Sequence, residues 1–185
     1  MIKNIFIAAL FVVCANIASA QSKFFTKTGT VSFLSKTPLE NIDGINKKVT
    51  CIVNMETGQI DIALLQKAFE FKKALLMEHY NENYVESDKF PKATFKGKIE
   101  NPGSINVSKD GTYPVNIVGD MTMHGVTKNM KAPAVFTVKN GKLSAHSDFV
   151  LLLADYNIAI PSAVKDKISP DIKIVADVNL EPIVK

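Results

Sequence analysis

The segment Tyr113-Pro114-Val115-Asn116-Ile117-Val118-Gly119-Asp120-Met121-Thr122-Met123-His124 decides the fold class. Val115, Ile117, Gly119, Met121 and Met123 fall on one side of a two-residue repeat. Asn116, Asp120, Thr122 and His124 fall on the other, and Val118 is the exception. Successive side chains of an extended chain point to opposite faces, so this pattern describes a strand with one buried face. A helix would need its apolar residues three and four apart.

The same period recurs on both sides of this segment. Val31, Phe33 and Ser35 share one face. So do Val49, Cys51, Val53 and Met55, which the turn Thr57-Gly58-Gln59 separates from Ile60, Ile62 and Leu64. Phe95, Gly97 and Ile99 precede Asn101-Pro102-Gly103, and Ile105 and Val107 precede Lys109-Asp110-Gly111. Beyond Gly125 an apolar run resumes from about Met130 to Val138. Asn140-Gly141 is a favoured hairpin turn. Then come Leu143, Ala145, Ser147, Phe149, Leu151 and Leu153, and finally Ile172, Ile174, Ala176, Val178 and Leu180. This count approaches eight strands joined mostly by hairpins. Such strands close into an antiparallel barrel because closure removes exposed edges; a two-sheet sandwich is the alternative. One stretch lacks alternation. Phe71, Ala74, Leu75 and Glu78, and likewise Leu76, His79 and Tyr80, fall at helical spacing, which predicts a short helix over about 72–81. A second helical turn is expected near Ser162–Lys167.

The chain has 185 residues, with 46% hydrophobic and 22% charged, an ordinary globular composition that argues against disorder. The net charge of +4 rests on Lys alone, since the sequence holds neither Arg nor Trp. That weighs against a nucleic-acid binder, which relies on Arg forks. Lys3, the apolar run Ile5–Ala15 and the small-residue site Ala18-Ser19-Ala20 read as a signal peptide over residues 1–20. The run is too short to span a bilayer. Residues 21–185 then form one exported domain, periplasmic or secreted. Cleavage removes Cys14 and leaves Cys51 as the sole thiol, on an apolar strand face, where a buried inert role is expected.

No residue pattern points to catalysis. His79, His124 and His146 do not fall at short ligand spacings, so no metal site is expected. Gly-x-Ser-x-Gly and phosphate-binding glycine loops are absent from the sequence. Glu82 and Glu86 are paired carboxylates that nothing singles out. What remains is apolar. Met55, Met77, Met121, Met123 and Met130, with 11 Phe, can line a pocket for a long chain or can fill a solid core.

Several blocks resemble the YceI-like family. They are Leu75-Leu76-Met77-Glu78-His79-Tyr80-Asn81-Glu82-Asn83-Tyr84-Val85-Glu86-Ser87 with Lys89-Phe90-Pro91-Lys92-Ala93-Thr94-Phe95, and Val118-Gly119-Asp120-Met121-Thr122-Met123-His124-Gly125-Val126-Thr127-Lys128. Gly29-Thr30-Val31-Ser32-Phe33 and Leu39-Glu40-Asn41-Ile42-Asp43-Gly44 fit the family's first strands. The resemblance implies a lipocalin-like barrel that binds a polyisoprenoid, an isoprenoid quinone or a fatty amide, without catalysis or cofactor. Many members carry an Arg near an aspartate in the penultimate strand region. Here Ala154-Asp155-Tyr156 has Ala at that place, so a head-group contact from such an Arg has no counterpart.

Alternation combined with the family's apolar interior places Phe33, Val53, Phe95, Ile117, Met121, Met123, Phe149 and Leu151 on inward faces as ligand-binding positions. Phe71 and Met77 are expected near the mouth. The leading expectation is an exported carrier of an apolar lipid, with no nucleic-acid partner; transient membrane contact and a homodimer are both left open. An exported enzyme acting on a similar apolar substrate is the alternative. A small outer-membrane barrel is disfavoured, because that class wants aromatic girdles and a polar interior.

Overall fold

A computed structural model of the chain describes residues 22–183. The signal peptide expected over residues 1–20 lies outside them. Nine strands form one antiparallel sheet: β1 (Lys23–Lys36), β2 (Asn41–Asn54), β3 (Gln59–Leu65), β4 (Phe69–Phe71), β5 (Lys92–Ile99), β6 (Gly111–Met123), β7 (Val126–Lys139), β8 (Lys142–Leu152) and β9 (Asp171–Pro182). Their order is β1-β9-β8-β7-β6-β5-β3-β2-β4, and β1 also pairs with β2. That last pairing closes an eight-stranded barrel, with the three-residue β4 added beside β2. A barrel was the expected architecture; a sandwich is not what forms.

The faces follow the alternation. Val49, Cys51, Val53, Ile60, Phe95, Ile99, Ile117, Phe136, Leu143, Leu151, Ile172 and Leu180 are all buried. The outward face carries ion pairs instead, among them Lys131–Glu100 at 2.7 Å and Lys173–Asp148 at 3.4 Å. Charged outside and apolar inside is the reverse of what a barrel in lipid requires.

Three local features differ from the sequence reading. β4 was not expected; three residues are too few to show a period. Ile105 and Val107 are not a strand. Their loop folds over one end of the barrel, where Ile105 is buried in the main core and Val107 packs against it. The interruption at Gly125 is a two-residue hairpin turn. His124 (φ +50°) and Gly125 (φ +73°) both adopt the left-handed region, like Asn140 (φ +52°) and Gly141 (φ +72°) in the turn that was expected. β7 therefore starts at once, at Val126.

The expected helix is present as α1 (Ala74–His79), continued by a wider turn over Tyr80–Tyr84. It lies across the end of the barrel opposite Ile105. The expected turn near Ser162 is a short 3-10 segment, Ser162–Val164.

Cys51 is 2% exposed, and burial, helped by Asp61, pushes its thiol up to about 12. The reactive thiolate is thus scarce at neutral pH. We expect a thiol reagent to label the native protein far more slowly than the denatured protein. Comparable rates would show that β2 opens readily.

Candidate ligand cavity

The barrel interior is divided along its axis. Phe24, Val53, Ile60, Phe95, Ile99, Ile117, Phe136, Val138, Leu143 and Leu180 fill one half as a continuous core. The other half, beneath α1, holds a cavity of about 370 Å³. This is the lower end of the range usual for small-molecule pockets.

Every wall of the cavity has a local origin. The end of β1 contributes Val31 and Phe33, and the start of β2 contributes Ile42. Leu64 and Ala93 come from β3 and β5, Met121 and Met123 from β6, Leu151 from β8, and Ile172 and Ile174 from β9. α1 and the turn after it add Leu75, Leu76, His79, Tyr80 and Tyr84 from above, and the segment before β9 adds Ile158, Val164 and Ile168. Phe33, Phe69, Phe71 and Tyr80 form an aromatic cluster on one side. Tyr80 stacks on Phe33 at 5.5 Å between centroids with 14° between planes. It meets Phe69 at 5.4 Å and Phe71 at 5.1 Å. Contacts of this kind add roughly 0.5–1.5 kcal/mol each beyond area burial, enough to hold a short helical segment in place.

The lysine, glutamate and histidine side chains of the lining are at its rim. Lys73 and Glu40 lie 3.8 Å apart, Lys73 being largely exposed, and His79 and Lys167 are exposed. Deeper in, Gln66 and Ser35 are buried polar side chains; the Tyr80 hydroxyl donates to Gln66 Oε1 at 2.7 Å, and Ser35 Oγ accepts from the Ser169 N–H at 2.9 Å. Burial pushes the Tyr80 hydroxyl well above its ordinary range, so it remains neutral.

The segments that carry the lining are tied together by His124. Its Nε2 lies 2.6 Å from Glu86 Oε2 and its Nδ1 lies 2.9 Å from the Tyr156 carbonyl. Both partners are acceptors, so the pair of bonds is complete when both ring nitrogens carry hydrogen. The Phe90 ring meets the imidazole edge-on at 4.8 Å. A Cβ on Gly125 would fall 2.5 Å from that ring, so only glycine suits both the turn and the space. His146 is elsewhere, on the outer face against Asp177 at 2.7 Å. Among the described residues no group of three His, Cys, Asp or Glu side chains could hold a metal.

The positions expected to bind ligand are therefore dispersed. Phe33, Phe71, Met121, Met123 and Leu151 line the cavity. Val53, Phe95 and Ile117 point inward but belong to the solid half, and Phe149 packs between the two halves without lining the cavity. Met77 is 41% exposed and faces away from it. Sequence reasoning missed Gln66, Phe69, Tyr80, Tyr84 and Ala93. The helical spacing of Leu76, His79 and Tyr80 could have pointed to Tyr80. Ala93 shares the parity of Phe95. Gln66 has no sequence signal, being a polar residue just past a strand end.

Residues 16–180 match the YceI-like domain family. No curated protein matches the chain in sequence. Among solved structures, a polyisoprenoid-binding domain from Saccharophagus degradans superposes with a TM-score of 0.77 at 10% identity, covering 88% of this chain and 99% of that one. Burkholderia cenocepacia BcnA gives 0.63 at 13% identity, covering 83% and 96%. The Campylobacter jejuni YCEI protein gives 0.58 at 16% identity, covering 77% and 85%. At these identities the structures share the fold, and the sequence match assigns the lineage: the chain belongs to the YceI-like domain family.

Proposed function

We propose that the protein is an exported, non-catalytic carrier that holds one end of a long apolar molecule, of the polyisoprenoid, isoprenoid-quinone or fatty-amide kind, in the cavity beneath α1. The observation that carries this reading is the division of the barrel. One half is packed solid, while the other keeps an apolar space of about 370 Å³ under a short helix. Each methylene withdrawn from water contributes about 0.8 kcal/mol. Roughly ten of them would supply about 8 kcal/mol before the cost of ordering the chain. Leu39 and Leu75, exposed beside the rim residues Glu40 and His79, place apolar side chains where a lipid would enter. The fold is shared with a polyisoprenoid-binding domain, which supports a long chain as the ligand class. The charged outer face suits a protein that works in water, and the Ala18-Ser19-Ala20 site supports export to the periplasm or beyond.

The test is mass spectrometry of the protein released from cells by osmotic shock. Under native conditions the expected species begins at Gln21 and carries one apolar molecule, recovered by organic extraction. Protein that leaves the cell without lipid, and takes up none from mixed lipid vesicles, would remove the carrier reading. A retained N-terminus would remove the export assignment.

A further inference from the structure

Along the strands the inward side chains change from solid core to cavity lining. On β5 the change falls between Phe95 and Ala93, on β3 between Ile62 and Leu64, and on β9 between Val178 and Ile174. The first of each pair packs in the solid half and the second lines the cavity. On β6 one side chain does both. Met121 packs against the solid core, packs against the cluster on the mouth side, and lines the cavity. Among the described residues no other side chain belongs to both the solid core and the lining. What stands behind Met121 is packed. Its partner in register, Phe95, is buried in the core. A Cβ on Gly97 would fall 2.6 Å from the tip of that ring, so the ring already occupies the room a side chain would take. Phe149 packs against both clusters without lining the cavity. An interior at this density does not yield to an entering chain end.

We propose that Met121 is the floor of the cavity and sets the length of apolar chain that the protein encloses. Carbons enter until the chain end meets the Met121 side chain, and those beyond that number stay at the mouth. The inference rests on the carrier reading and deepens it by naming the residue that fixes how much of the bound molecule is taken up. Methionine suits a floor that must meet different chain ends, because its unbranched thioether adapts its shape where a branched or aromatic side chain cannot. The consequence is a limit on affinity. Each enclosed methylene raises affinity about fourfold, since it is withdrawn from water. A methylene left outside adds little. Affinity should therefore climb with chain length and then level off, and the length at which it does so is a property of the residue at 121.

The experiment uses delipidated protein loaded with the fluorescent probe N-phenyl-1-naphthylamine. Displacement is measured with straight-chain 1-alkanols from about six to about sixteen carbons, a range wide enough to show the fourfold steps and their end. We expect the wild type to show both the rise and the plateau. Met121→Ala should move the plateau to chains longer by about three carbons, the number of heavy atoms removed beyond Cβ. Met121→Phe adds bulk at the floor and should move it to chains shorter by about one or two carbons; it reads the same question if Met121→Ala does not fold. Met123→Ala is the control. Met123 lines the cavity nearer the mouth and does not touch the solid core, so its loss widens the cavity without deepening it. The plateau should stay where it is in the wild type. A wild type whose affinity rises through the longest alcohol has no floor, and that result would overturn the inference and leave the carrier reading standing. So would a plateau that neither Met121 variant moves, or one that Met123→Ala moves as far as Met121→Ala does. If no alcohol of the series displaces the probe, the carrier reading falls and the floor falls with it.

Discussion

Ala93→Phe is expected to strip the protein of its co-purified ligand while leaving the barrel folded. Ala93 is buried on the inner face of β5, opposite Leu64 of β3, and lines the cavity. A ring there grows into space that the fold leaves open, so overpacking should cost less than about 1 kcal/mol. The informative partner is Ala134→Phe. Ala134 is equally buried and inward-facing but lies in the solid half, in the core that holds Ile117 and Phe136. The same ring there has no space and should cost about 3 kcal/mol, the upper end of the usual overpacking range. For a domain of this size that lowers Tm by roughly 6–12 °C. Extraction and thermal melts of the two variants separate the halves. Ligand content should collapse in Ala93→Phe and Tm should collapse in Ala134→Phe. If Ala93→Phe instead loses stability and keeps its ligand, the space beneath α1 is closed in solution and the cavity is elsewhere.

That contrast marks where the sequence stops being legible. A two-residue period tells inward from outward, and residues it puts on inward faces, such as Val53, Phe95 and Ile117, are buried. It carries no information about height along the barrel axis. Val53, Phe95 and Ile117 have the same parity as Phe33 and Met121, yet they fill the solid half. Height depends on the register of each strand against its neighbours, which is a property of the closed barrel. Phe95 pairs with Met121 in register and still does not line the cavity. Its ring leans the other way, towards Gly97, where no side chain stands.

The helical segment shows the same limit at a different period. Helical spacing placed a helix over about 72–81 but could not choose which of its faces turns inward. The structure turns Leu75, Leu76, His79 and Tyr80 to the cavity and leaves Met77 outside. The aromatic cluster with Phe33, Phe69 and Phe71 makes the choice, and two of those rings lie on β4, which the sequence did not reveal. The turn at His124-Gly125 was hidden for a related reason. A histidine is an unusual first residue for a left-handed two-residue turn. What sustains it here is long-range: Glu86 and the Tyr156 carbonyl, 38 and 32 residues away in sequence.

Gly119→Ala should be among the most destabilising single changes in the chain. Gly119 of β6 stands directly opposite Gly97 of β5, between the inward pairs Phe95–Met121 and Ile99–Ile117. A Cβ on Gly119 would fall 2.4 Å from Gly97 Cα and 2.4 Å from the Lys96 carbonyl oxygen. Both obstacles are backbone, so no side-chain rotation relieves the contact. The two strands would have to separate, and a closed barrel has no free edge to absorb the shift. We expect a loss of at least about 3 kcal/mol, in the range that marks a specific steric cause rather than an ordinary substitution. Gly103→Ala is the matched control. Nothing lies within 4 Å of its Cβ position and its backbone is not in the left-handed region. It should be neutral or stabilise by up to about 1 kcal/mol, through the unfolded chain. Chemical denaturation of both variants checks the pair. A Gly119→Ala protein within about 1 kcal/mol of wild type would mean that β5 and β6 part cheaply. The Gly97 gap would then not be what draws the Phe95 ring into the solid half. If the expected loss is found, the glycine pair explains the boundary of the cavity. With no side chain at 97 or 119, Phe95 folds into the gap, and Met121 is left as the first residue of the hollow half.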